Sequence, residues 1–186
     1  MLPLAVAACG GRGTPAGAPA RAPAPARRDR AAVGRITDAN NAALLLTTNN
    51  VSLASARIAL TRATRRDVKA LARSETASHT ALNTTLTRLL TRLEINPHEE
   101  EIDRILRDQS MARRDTLRNI AARRVDSTYI ANEVRHHTEV LEAIDRVFLP
   151  SVRHAELREY IVTLRPTIVA HLEAAEQLQA ALTTRR

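Results

Sequence analysis

The 186-residue chain has no tryptophan, one cysteine, one lysine and three aromatic side chains. All five glycines lie at or before position 34, and five of the eight prolines at or before position 25. A β-rich fold, which needs glycine and proline at its tight turns, is therefore not expected beyond that point. Tyr129, Phe148 and Tyr160 are the only aromatics, so the core must be built from Leu, Ile, Val and Ala. Such a core suits close helix packing, and it offers no stacking platform for single-stranded nucleic acid. Charge gives no nucleic-acid footprint either. Of the formal net charge of +8, half lies in residues 1–34, where Arg12, Arg21, Arg27, Arg28 and Arg30 face only Asp29. The rest is spread over a mixed-sign helical surface, and no specific nucleic-acid partner is expected.

What is present begins with an apolar leader, Met1 to Ala8, ending in Val6-Ala7-Ala8-Cys9-Gly10. Small residues before a cysteine resemble a bacterial lipobox, in which the cysteine is lipidated and becomes the mature N terminus. Lipidation of Cys9 would leave the mature chain without a free thiol in an oxidising compartment. The leader carries no positive charge and is short for a secretory signal, so the true translation start is expected upstream. Gly10 stands where an inner-membrane retention signal would resemble Asp, and the expected location is the periplasm, anchored in the outer membrane. Residues 10–34 are low-complexity Ala, Pro, Gly and Arg, read as a disordered tether whose arginines can meet anionic envelope components. The expected organisation is a signal remnant over 1–9, the tether over 10–34 and a helical bundle over 35–186.

In the bundle, apolar periodicity predicts helices over about 36–62 and 65–93, with Thr64 as N-cap of the second. The seam of that second helix reads Val68, Ala72, Glu75, His79, Leu82, Leu86, Leu89 and Leu93. Asn96-Pro97-His98-Glu99 predicts the start of a third helix, running to about 122. Asp126 is the expected cap of a fourth, with seam Ile130, Val134, His137, Leu141, Ile144 and Phe148, ended by Pro150. The fifth starts near 153, with Leu157, Ile161, Leu164, Ile168, His171, Ala175, Leu178 and Leu182 inward and a kink at Pro166. Two helical hairpins joined by a crossover that includes the third helix follow.

Four segments carry a resemblance: Val68-Lys69-Ala70-Leu71-Ala72 followed by His79; Val125-Asp126 with Tyr129-Ile130 and Val134-x-x-His137; Pro166-x-x-x-x-His171-Leu172; and the long helix before them. Together they resemble the bacterial domain of unknown function 4142 family, often labelled predicted outer membrane protein. The resemblance spans about 36–182 and implies an all-α, ferritin-like four-helix-type bundle with an extra crossover helix. Departures occur where the family usually has acidic residues, at Ser52 and Ser78, and at Ala122 and Val125 for an expected glycine and phenylalanine.

Three seams each carry one histidine, and a buried imidazole without partners costs about 1–3 kcal/mol where Leu would cost nothing. Two readings compete. In one, histidine and carboxylate layers fix helix register in a non-enzymatic structural or stress-associated envelope protein. In the other, Glu75, His79, Glu133, His137 and His171 hold a transition metal, iron or manganese, for a binding or redox role. Glu133-x-x-His136 also has the i, i+3 spacing of inward metal-binding motifs. His137 lies 13 residues before the expected turn at Pro150, and His171 lies 18 after Arg153. At the helical rise this sets them roughly 7 Å apart in height, so one shared ion is strained. Glu133 is level with His171, so a buried Glu133–His171 pair is expected instead and the structural reading is preferred. His98 and His154 read as surface. No phosphate loop, zinc spacing or catalytic nucleophile is recognisable, so no catalytic residue is assigned.

Overall fold

The computed structural model describes residues 36–184; Cys9, the lipobox and the tether lie outside the described residues. Five helices form an all-α bundle, with no strand among the described residues. Thr37 caps α1 (Asp38–Arg62) through a capping box with Asn40. α2 (Arg66–Arg92) carries a narrow apolar stripe and ends at Leu93, followed by Glu94 at positive φ. α3 (Glu101–Asn119) starts from a box between Glu100 and Asp103. α4 (Ala122–Ala143) continues through a wider-wound stretch, Ile144–Phe148, to a last turn at Leu149–Ser151. α5 (Ala155–Thr183) holds Pro166 in its interior without ending there.

Several predicted ends move. The second helix begins at Arg66, not after a Thr64 cap: Asp126 reaches across from α4 and accepts from Thr64 N at 2.9 Å, Arg65 N at 3.2 Å and the Thr64 hydroxyl. Asp126 therefore caps α2, and α4 starts a turn earlier than expected. The Asn96 to Glu99 stretch is not helical, because Glu100 with Asp103 provides the better box.

α1 packs along α2 and α4 along α5, and the two hairpins meet through α1 against α4 and α2 against α5. α3 crosses over the outside of α1 and touches α4 lightly. The core falls into two apolar clusters. One holds Leu45, Leu86, Ile144, Phe148, Leu157 and Leu164. The other holds Ala56, Ala72, Leu117, Tyr129, Ile130 and Ala175. On each long helix the residues between these clusters are polar: Asn49 and Ser52 on α1, Glu75 and His79 on α2, Glu133 and His137 on α4, His171 on α5, all buried. The bundle thus has a polar waist between two apolar halves. No helix among the described residues is long and apolar enough to cross a membrane.

Candidate metal centre

His79, His137 and His171 meet at the waist. Their ring centroids lie 5.8 Å apart for His79 and His137, 5.1 Å for His79 and His171, and 5.3 Å for His137 and His171. One nitrogen from each lies within 4.8 Å of the others. The 7 Å height offset expected from the sequence does not keep His137 and His171 apart, for two reasons. The turn falls later than assumed, since α4 ends at Ser151 and α5 begins at Ala155. Side chains also lean toward the N terminus of their own helix, which tilts His137 away from the turn and His171 toward it, so the rings converge.

The same lean breaks the expected Glu133–His171 pair. It carries the Glu133 carboxyl further from the turn, to Glu75 and His137, and His171 Nδ1 is left without a hydrogen-bond partner. His136 is not the helical partner of Glu133 that the i, i+3 spacing suggested. It turns to α1 and donates from Nε2 to the Thr48 carbonyl at 3.2 Å. His98 is exposed as expected, while His154 is half-buried at the start of α5.

Two of the three rings are held from behind. His79 Nδ1 donates to Asn49 Oδ1 at 3.0 Å, and His137 Nδ1 donates to the Glu133 carbonyl at 3.0 Å. Each contact fixes the tautomer and leaves the Nε2 lone pair facing inward, the device by which outer partners orient metal-binding imidazoles. His79 Nε2, His137 Nε2 and His171 Nδ1 are all buried without a hydrogen-bond partner. Burial pushes the basicity of all three down, His79 to about 3, so the rings are neutral and their lone pairs free at neutral pH.

Beside the triad sits a carboxyl pair. Oxygens of Glu75 and Glu133 and a nitrogen of His137 lie within 4.8 Å of one another. Glu133 Oε2 is 3.7 Å from His137 Nδ1, and Tyr129 donates to Glu75 Oε2 at 2.5 Å. Burial pushes both carboxyls up, Glu75 to about 7, and their mutual repulsion pushes Glu133 further. A shared proton is the natural state of two such groups. As carboxylates they expose Glu75 Oε1 and Glu133 Oε2 with no donor facing them.

Three imidazole nitrogens therefore lack protein partners in one buried layer, and beside them two carboxyl oxygens face only each other. That donor set fits a transition-metal cation, and its divalent charge would be balanced by the two carboxylates. Asn49 is the residue of this layer that sequence reasoning missed: it lies in a run of Thr and Asn with no periodic signal. Ser52, standing where the resemblance suggested an acidic residue, is buried in the same layer with its hydroxyl unpartnered.

Fold and site together define a helical bundle with a buried histidine and carboxylate layer. The chain belongs to the family described as Domain of unknown function (DUF4142), whose profile matches residues 19–178. The match reaches back into the low-complexity stretch read as tether. No curated protein and no solved structure matches the chain.

Proposed function

We propose that this protein is a ferritin-like metal-binding bundle, a four-helix core with α3 as crossover, that holds one transition-metal cation between His79, His137 and His171. Glu75 and Glu133 complete the charge balance beside it. The observation that carries this reading is the convergence of three neutral, buried imidazoles whose inward nitrogens have no other partner. A purely structural polar layer would be expected to satisfy its own groups, because each buried polar atom left unpaired costs about 1–3 kcal/mol. Three imidazoles favour zinc or copper by affinity, while participation of the carboxylates brings iron and manganese within range.

The test is metal retention. Protein stripped of metal, incubated separately with Fe²⁺, Mn²⁺, Cu²⁺ and Zn²⁺ and then desalted, should keep about one equivalent of at least one of them. His79→Ala and His171→Ala should abolish retention. Loss of no metal in these variants, or retention of none by the wild type, returns the layer to a structural role.

The location proposed is the periplasmic side of the outer membrane, through a lipid on Cys9, supported by Val6-Ala7-Ala8-Cys9 and the arginine-bearing stretch after it. Expressed from an extended upstream start, the protein should partition into detergent and Cys9→Ser should not. Equal partition removes the anchor.

A further inference from the structure

The two sides of the waist are closed differently. α3 lies over α1 and touches α4, so it roofs the side where those helices meet, and among the described residues no further helix lies comparably over the seam between α2 and α5. Along that seam runs a cleft of about 340 Å³ lined by Ser78, Ala81, Leu82, Tyr160, Thr163 and Thr167, among others. Its lining brings it to the level of the histidines. Ser78 immediately precedes His79, and Thr167 stands one turn before His171 on the same helical face. His171, on this seam, is also the least buried of the triad, 6% exposed against 1% for His79 and 0% for His137. Five of the eight residues lining it, Ser78, Thr85, Tyr160, Thr163 and Thr167, carry hydroxyls, set among Ala81, Leu82 and Leu164.

Resting on the metal-binding reading above, we infer that this cleft is the route by which a divalent cation reaches and leaves the triad. A cation entering an apolar seam would shed its water with nothing to replace it. Here Ser78 and Thr167 offer hydroxyl oxygens at the mouth, and Thr163, whose own proton is given to the Glu159 carbonyl, keeps its oxygen as an acceptor. Tyr160 closes the far end, its hydroxyl donating to the Leu82 carbonyl at 3.2 Å. The side chains of the cleft mouth therefore set the rate of exchange and leave the affinity to the histidines.

The experiment is stopped-flow uptake of Co²⁺ by the metal-stripped full chain, followed by the visible absorption that imidazole coordination gives the ion. Thr167→Leu and Ser78→Leu, each filling the mouth, should slow uptake tenfold or more and reach the same final spectrum. Thr84→Leu, in the separate cleft between α1 and α2, should leave the rate unchanged. Thr167→Ser, which keeps the hydroxyl and carries no risk of overpacking, should take up Co²⁺ at least as fast as the wild type. Wild-type rates in both leucine variants, equal slowing by Thr84→Leu, or slower uptake by Thr167→Ser each overturn the route while leaving the metal site standing. A wild-type protein that develops no Co²⁺ spectrum overturns both.

Discussion

His137 uses its two nitrogens for different tasks, one tied to the backbone of its own helix and one turned to the partner rings, and Asn49 does for His79 what the Glu133 carbonyl does for His137. Removing such an outer partner typically costs 10- to 100-fold in metal affinity. Asn49→Ala should therefore weaken binding by about that factor in a calorimetric titration, with the stoichiometry kept. His136→Asn, at a side chain that packs edge-on against His137 but hydrogen-bonds the Thr48 carbonyl and no triad nitrogen, should weaken binding less than Asn49→Ala. The carboxyl pair sets a second expectation, for the metal-free protein. Glu75 titrates near 7 in the fold against an ordinary 4.5, so the stability it contributes is whole below pH 4.5 and is lost as pH rises through about 7. His79 titrates near 3 against an ordinary 6.5, so its contribution is whole above pH 6.5 and is lost as pH falls toward 3. Thermal melts across pH 4 to 8.5 should fall off on both sides, and Glu75→Gln should flatten the alkaline side alone.

At the scale of the helix, ends matter more than interiors. Arg65 gives α2 no side-chain cap, and Asp126 supplies it from another helix while itself only 5% exposed. Asp126→Ala should cost about 1–3 kcal/mol in urea unfolding, more than an ordinary surface cap, because two backbone donors and a hydroxyl lose their acceptor inside the protein. This cap also marks how far the sequence could be read. The seams were legible because a 3.6-residue period survives whatever the tertiary structure does, and their residues are buried or half-buried as expected, Glu75 and His79 included. Asp126 was misassigned because a carboxylate four residues inside a helix looks, in one dimension, like a cap at its start. The meeting of His137 and His171 was not legible either. It depends on the exact turn position and on the lean of side chains in antiparallel helices, neither of which periodicity encodes.

For the whole molecule, the waist makes ligand and fold one system. A cation held there touches α2, α4 and α5 at once, so binding at a hundredfold excess over Kd should add about 2.7 kcal/mol. For a chain of this size the melting temperature should rise by roughly 5–10 °C, and the rise should vanish in His171→Ala. The caps, taken together, carry a consequence for the order of events during synthesis. Thr64 and Arg65 find their acceptor about 60 residues later in Asp126, separations of 62 and 61. Asp38 caps the start of α5 at Arg153 and His154, 115 and 116 residues away. Arg62 closes the end of α3 by donating to the Leu117 carbonyl at 2.6 Å and the Ile120 carbonyl at 2.8 Å. A nascent chain therefore leaves the ribosome with the start of α2 uncapped until α4 is made, and its waist is incomplete until α5 brings His171 to His79 and His137. Ribosome-bound chains of increasing length should remain open to protease until α5 has emerged. Protection gained by α1 and α2 alone would show that the first hairpin is self-sufficient. Such late closure is the condition under which a chain can still be threaded, unfolded, across a membrane.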